Sequence, residues 1–430
     1  MKLFAVAGKP VFHSLSPELH NHLASIYGKE ISYTRLRVEN INEIQLFLQA
    51  GIFSGLNITA PWKEKSLALA DWIDPEASFA SAINTLLFEG SRKKAFNTDI
   101  DGVENSLVSA GIRVRERSCL VLGAGGAGRA AIRALQRMGG RVTMANRTHE
   151  RGRVAAEKLG CRQVPWTKLR PALLNNSLLI NATPAAQPPF PESWLNAGTT
   201  VFDADYRLRP LEAPARKRKC IYLAGDEWLF RQGLAAFSHF HKCAPHGEAL
   251  QALRTVLKKR KKKRTISLVG FMGCGKSTLA PVLAKQLGYA CLDADAILVE
   301  RTGTCISSFF RRHGERAFRR LEREIAIELS RREHTVIAWG GGVVLDPECR
   351  SLLRRNSHVV WLFLPTENFL PRICGGKRPL LGGNPNVETL RKLLEQRNPV
   401  YARSADLVLL NDKHPEEVAR VIADEIGPYV

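Results

Sequence analysis

Two glycine-rich loops of different kinds, "LVLGAGGAGRA" at 120–130 and "SLVGFMGCGKSTL" at 267–279, constrain this chain more than any other feature. Each follows an apolar, strand-like run and opens a helical pattern. A turn in that setting aims backbone N–H groups and the positive end of a helix at a phosphate. Two such loops require two strand–loop–helix units, so the predicted fold class is α/β with largely parallel sheets. The length agrees, because 430 residues exceed what one core supports.

Apolar runs alternate with helical patterns along the chain. "LFAVAG", "ISYTRLRV" and "GLNITAP" come first, then "SCLVLGAGGAG", "RVTMANR" and "TVFDADY", and finally "TISLVGF", "YACLDAD", "HTVIAWGGG" and "HVVWLFLP". Residues 227–257 read as two helices packing back onto the first unit. The alternation then breaks at "KKRKKKR", residues 258–264, which marks a boundary. The formal net charge is +22, and seven of those charges lie in this run. It reads as a solvated linker rather than a nucleic-acid or lipid contact. No apolar run reaches the roughly 18 residues of a membrane helix, and "MKLFAVAGKP" reads as a first strand, not a signal peptide. The nine cysteines are odd in number and lack C-x-x-C pairs. They predict reduced thiols in a cytoplasmic setting, without disulfides or structural zinc.

In the first loop, Gly123, Gly125, Gly126 and Gly128 permit a tight turn and close approach of a pyrophosphate. The next strand ends in Asn146, Arg147 and Thr148, where an NAD site offers an acidic residue for the ribose hydroxyls. A cation there suits a 2′-phosphate, so the predicted cofactor is NADP. In the second loop, Gly270, Gly273, Gly275, Lys276, Ser277 and Thr278 complete a P-loop: amides and Lys276 for ATP phosphates, the Ser277 hydroxyl for Mg2+. "LDAD" follows, and strand alternation would put Asp293 and Asp295 on one side, one for Mg2+ and one for a substrate hydroxyl.

The segments "GKPVFHSLSPELHN", "GLNITAPWK", "SAINTL" and "NTDIDG" occur in order over residues 1–257 and resemble the shikimate dehydrogenase family. The resemblance implies reduction of 3-dehydroshikimate by NADPH. It assigns Ser14 and Ser16 to the substrate carboxylate, and Thr59, Asn84, Gln232 and Tyr206 to the ring hydroxyls. Lys63 and Asp99 are the catalytic pair, and Thr183 and Gly225 join the cofactor positions. Hydride delivery to a ketone builds alkoxide charge, and a lysine held by an aspartate supplies a cation and a proton there. The chain departs from the family at Ala186–Gln187 and at Glu227–Trp228, both Gly-Met as a rule, the second close to the expected nicotinamide. A quinate-type dehydrogenase, or a degenerate metabolite-sensing half associated with nucleic acid, is the alternative for this part.

From 265 onward, "GERAFRRLE", "WGGGVV", "GGKRPLL" and "EQRNPVYARSADLVL" join the P-loop in a resemblance to shikimate kinase. That implies transfer of the ATP γ-phosphoryl to a shikimate hydroxyl, with Asp295 taking its proton. Arg319 and Arg397 clamp the carboxylate, and Gly341 and Gly342 present amides to the substrate. Arg378 closes over the phosphates, and Arg372 lies near the base. Arginine forks suit a carboxylate and the transferring phosphoryl. Arg319 is singled out from a crowded basic helix because it follows Phe318. The expected organisation is a substrate α/β domain at 1–101 completed by 227–257, a Rossmann NADP-binding domain at 102–226, the linker at 258–264, and a P-loop kinase α/β/α domain at 265–430. The expected partners are small molecules, with neither membrane nor nucleic acid.

Overall fold

The computed structural model describes residues 1–245, 262–369 and 387–430, and the chain divides into two compact units, Met1–Ser54 with Gln251–Val430, and Gly55–Leu250. The first strands, β1 (Lys2–Gly8) and β2 (Ile31–Arg37), pair in parallel and are buried along nearly their whole length. Burial on both faces explains why β1 reads as a continuous apolar run, whereas β2 alternates and buries Ser32, Thr34, Arg35 and Arg37 as well. The helix Ser16–Ile26 makes the crossover between them, with Pro17 in its first turn.

The second unit begins with β3 (Gly55–Ile58), β4 (Trp72–Ile73), β5 (Thr85–Glu89) and β6 (Arg92–Phe96), in the order β3-β5-β6-β4. A separate six-stranded parallel sheet follows: β7 (Ser118–Leu122), β8 (Arg141–Asn146), β9 (Arg162–Pro165), β10 (Leu178–Asn181), β11 (Thr200–Asp203) and β12 (Ile221–Leu223). Its order is β12-β11-β10-β7-β8-β9, so the strand order reverses between β7 and β10. Ligands bind at such a switch point in open α/β sheets, and the first glycine loop leaves β7 there. The helix Gly225–His241 packs along the helix Thr98–Ser109. Trp228 is buried in this contact beside Phe202, and a Cβ on Gly102 would lie 2.8 Å from its ring. The Trp228 departure is therefore a core substitution. The remainder of the second predicted helix, 246–257, lies outside the described residues.

The last part contributes β13 (Thr265–Val269), β14 (Ala290–Asp293), β15 (Thr335–Ala338), β16 (His358–Phe363) and β17 (Leu407–Leu410). They form a parallel sheet in the order β14-β15-β13-β16-β17, and β17 then pairs in parallel with β2 through Val408↔Leu36 and Leu409↔Arg37. Thr34 Oγ1 adds a hydrogen bond to Ala405 O at 2.7 Å. Each of these strands would otherwise leave an open edge.

The basic run is not simply solvated. Lys258–Lys261 lie outside the described residues, but Lys263 Nζ donates to Arg354 O at 2.6 Å and Ser357 O at 3.0 Å and pairs with Asp406 at 3.3 Å. Burial alone would raise the Asp406 carboxyl, yet the Lys263 charge leads the groups that hold it below its usual range. All eight described cysteines are free, and no described helix is long and apolar enough to cross a membrane.

Candidate active sites

In the first unit, the turn after β1 carries Ser14 and Ser16, both buried, with their hydroxyls 3.2 Å apart. Ser14 N–H donates to Val11 O at 3.0 Å, and Arg35 donates to Ser14 O from Nε at 3.0 Å and Nη2 at 2.6 Å. The Ser14 backbone is thus held by a buried guanidinium.

In the second unit, Lys63 Nζ lies 2.5 Å from Asp99 Oδ2, with side chains 17% and 7% exposed. Asn97 positions Asp99: its carbonyl caps the helix Thr98–Ser109 by accepting the Asp99 N–H at 3.1 Å, and its amide donates to Ala82 O at 2.8 Å. Lys63 follows β3 on a turn whose Thr59 O accepts Trp62 N–H at 3.0 Å. Asn84 Oδ1 accepts from Thr98 N at 2.8 Å and from the Thr85 and Thr98 hydroxyls, while its amide donates to Gln232 Oε1 at 3.3 Å. Lys63, Asp99, Asn84 and Gln232 are therefore linked through one short stretch of helix and strand ends. Tyr206 is half-buried, and its N–H lies 2.8 Å from where a Gly225 Cβ would sit.

The dinucleotide loop reaches the same lysine, because a Cβ on Gly126 would stand 3.1 Å from Lys63 Cβ and Cδ. Gly123 has φ 107° and starts the turn, and any side chain on Gly128 would collide with Gly123 O. Gly123 and Gly128 admit only glycine, as a pyrophosphate cradle at a helix N-terminus requires. Asn146 Oδ1 accepts Ala124 N–H at 3.1 Å, and its amide donates to Thr148 O at 2.8 Å. Arg147 is exposed beside them, and Thr183 Oγ1 donates to Asn181 at 2.7 Å. Sequence reasoning missed Arg151, whose guanidinium lies 4.0 Å from the Gly125 Cβ position and pairs with Glu64 at 3.0 Å. It lies four residues beyond Arg147, in the first turn of the helix His149–Lys158.

The P-loop opens on a cleft of about 900 Å³ lined by Lys276, Ser277, Thr278, Asp295, Arg319 and Arg397 among others. Gly270, Gly273 and Gly275 all have positive φ, at 145°, 81° and 92°. Lys276 Nζ donates to Gly270 O at 2.9 Å and Phe271 O at 3.1 Å, and its helix begins at that residue. Arg397 is 7% exposed, and its Nη1 is buried without a hydrogen-bond partner among the described residues. A buried guanidinium group left unsatisfied calls for an anion. Arg319 Nη1 pairs with Glu322 at 2.7 Å, and any side chain on Gly342 would collide with that guanidinium. Gly341 abuts the loop, a Cβ there lying 3.3 Å from Met272 N, and its O accepts the Tyr401 hydroxyl at 2.5 Å.

The carboxylates differ from the alternation expected for them. β14 ends at Asp293, which accepts the N–H groups of Asp295 and Ala296 at 2.9 and 3.2 Å and so caps the helix Ala294–Thr302. Asp295 is in that helix rather than on the strand, because an aspartate before a helix prefers the cap. Burial pushes the Asp295 carboxyl up, opposed by the Lys276 charge and helped by Asp293. Burial also raises Glu322. Glu322 was not singled out from sequence, although it lies three residues beyond Arg319 on one helix. Asn411, which donates to Cys274 O at 2.5 Å across 137 residues, gave no local signal. Arg372 and Arg378 lie outside the described residues.

Family comparisons divide the chain in the same order as the motifs. The shikimate dehydrogenase substrate binding domain model matches residues 6–86, the shikimate / quinate 5-dehydrogenase model residues 107–203, and the shikimate kinase model residues 272–427. A shikimate dehydrogenase (NADP(+)) of Thermus thermophilus is 40% identical over 248 residues, 55% of this chain and 91% of that protein. A shikimate kinase of Prochlorococcus marinus is 36% identical over 180 residues, 41% of this chain and 90% of that protein. A crystal structure of shikimate 5-dehydrogenase from Thermus thermophilus in complex with NADP(H) and shikimate matches with TM-score 0.54 and 34% identity, over 60% of this chain and all of that one. The chain therefore belongs to the shikimate dehydrogenase family through its first part and to the shikimate kinase family through its last.

Proposed function

We infer that this chain is a bifunctional enzyme that reduces 3-dehydroshikimate to shikimate with NADPH and then phosphorylates shikimate with ATP. The observation that carries this reading is the presence in one chain of nearly full-length counterparts of both enzymes. The product of the first is the substrate of the second. We assign residues 1–101 with 227–257 to substrate binding, 102–226 to NADP, and 265–430 to the kinase.

In the first reaction, Ser14 and Ser16 bind the ring carboxylate, and Thr59, Asn84, Gln232 and Tyr206 bind hydroxyls. NADPH supplies the hydride to the ketone carbon. Lys63, oriented by Asp99, gives its proton to the oxygen on which charge builds. Gly123, Gly125, Gly126, Gly128, Thr183 and Gly225 leave room for the cofactor, while Asn146, Arg147 and Thr148 meet its 2′-phosphate. Arg147→Asp is expected to raise the NADPH Michaelis constant about 10- to 100-fold and to leave that for NADH within about twofold. Initial rates with each cofactor check it, and an unchanged preference contradicts the assignment.

In the second reaction, Arg319 and Arg397 bind the carboxylate, with Gly341 and Gly342 alongside. Asp295 accepts the hydroxyl proton, and Lys276, Gly270, Gly273, Gly275 and Thr278 grip the phosphates. ATP supplies the phosphoryl group, and Arg372 and Arg378 are assigned to the base and the closing lid. The Ser277 hydroxyl, exposed at the cleft, would hold Mg2+, and we assign Asp293, the cap of the helix Ala294–Thr302, to the same ion. The two half-reactions, each run alone, test the reading: NADPH formation from shikimate and NADP+, and ADP formation from shikimate and ATP. Failure of either removes that half.

A further inference from the structure

We propose that Glu425, on the helix Pro415–Ile426, is a positioning residue for the dehydrogenase reaction, holding the turn that presents Ser14 and Ser16. The inference rests on the functional reading above. Residue 425 falls inside the shikimate kinase match, whereas the turn falls inside the dehydrogenase substrate-domain match. One enzyme thus supplies a structural carboxylate to the binding site of the other.

Glu425 is 3% exposed. Its Oε2 accepts the N–H of Val11 at 2.9 Å and of Phe12 at 2.8 Å, its Oε1 accepts Val11 N–H at 3.2 Å, and Oε1 lies 2.5 Å from Arg37 Nε. Val11 and Phe12 are fully buried, and this turn has no strand to bond them. Without the carboxylate, two buried N–H groups would lose their acceptor, and the buried Arg37 guanidinium would lose its paired charge. From Val11 the connection to the serines is one hydrogen bond, Val11 O accepting Ser14 N–H at 3.0 Å. The Phe12 ring is wedged edge-on against His358 and Tyr429, each at 5.2 Å, and the Arg35 guanidinium that holds Ser14 O lies 5.4 Å from its centroid. The β17–β2 pairing fixes the approach of these parts, so the turn is gripped by the kinase portion on one side and by β2 on the other.

A loosened turn weakens carboxylate binding and leaves the Lys63–Asp99 pair intact. Glu425→Gln keeps the shape and removes the charge and one acceptor. It is expected to raise the Michaelis constant for shikimate in the NADP+-linked reaction about tenfold, with turnover and the NADP+ constant within about twofold. The kinase constants of the same preparation should not move, because Glu425 does not line the kinase cleft. Glu425→Asp, which keeps the charge, should recover part of the loss. Arg37→Gln, which leaves the hydrogen bonds from the Val11 and Phe12 N–H groups, should give a smaller rise and serves as the second variant if Glu425→Gln does not fold. An unchanged shikimate constant in a well-folded Glu425→Gln protein overturns the inference. So does a parallel fall in both activities, since the carboxylate would then serve the whole unit and not this turn. A wild-type chain that oxidises no shikimate overturns the functional reading itself, and this inference with it.

Discussion

Replacing Lys63 by methionine is expected to lower the turnover of ketone reduction about 10²- to 10⁴-fold, while phosphorylation of shikimate by the same preparation continues at the wild-type rate. Methionine preserves the length and the packing of the stem against Gly126, so the loss isolates the ammonium. The cation is poised by Asp99 at 2.5 Å, and both side chains are largely sheltered from water. The affinity for NADPH, read by fluorescence quenching, should change little. A variant that retained more than about a tenth of the turnover would show that the proton comes from elsewhere, and the assignment of the pair would fall.

Asp295→Asn is expected to have the mirror effect, lowering kinase turnover about 10²- to 10⁴-fold and sparing the reduction. The wild-type pH profile carries the same signature. Burial raises the Asp295 carboxyl above the ordinary aspartate range. A base must be ionised to accept a proton, so kcat/KM is full above that raised pKa and falls as pH drops through it. The acid limb should therefore sit above that of a free aspartate, and its midpoint should be absent in the residual activity of the asparagine variant. A wild-type limb at the ordinary aspartate position would contradict the burial argument.

The parts of this molecule legible in sequence are those whose chemistry is local. A phosphate loop is a strand, a few glycines and a helix start, and both loops appear where their spacing placed them. Lys63 and Asp99 are 36 residues apart, yet each sits in a short motif that names its neighbours. Positions that depend on packing between distant segments were not legible. Periodicity says that β2 and β17 are strands, but not that they share a sheet. Nothing near Val11 announces that its N–H is met by Glu425, 414 residues away. Asp295 illustrates a conflict of local rules: alternation extended the strand, while the capping preference of Asp293 started a helix. Trp228 stands at a departure from the family pattern, and sequence alone did not show that it is core, packed beside Phe202 in the space left by the missing side chain of Gly102. Lys263 looked like one more solvated charge in a basic run, and its partners Arg354, Ser357 and Asp406 are invisible at that distance.

The central claim, that two enzymes act in series on one chain, is tested most directly in a single vessel. The purified protein is mixed with 3-dehydroshikimate, NADPH, ATP and magnesium, and the products are read by mass spectrometry. The expected product is shikimate phosphate, with one NADPH oxidised and one ADP formed for each molecule. Shikimate that accumulates unphosphorylated, or phosphorylation only when shikimate is added from outside, would contradict it and would identify the half that does not work.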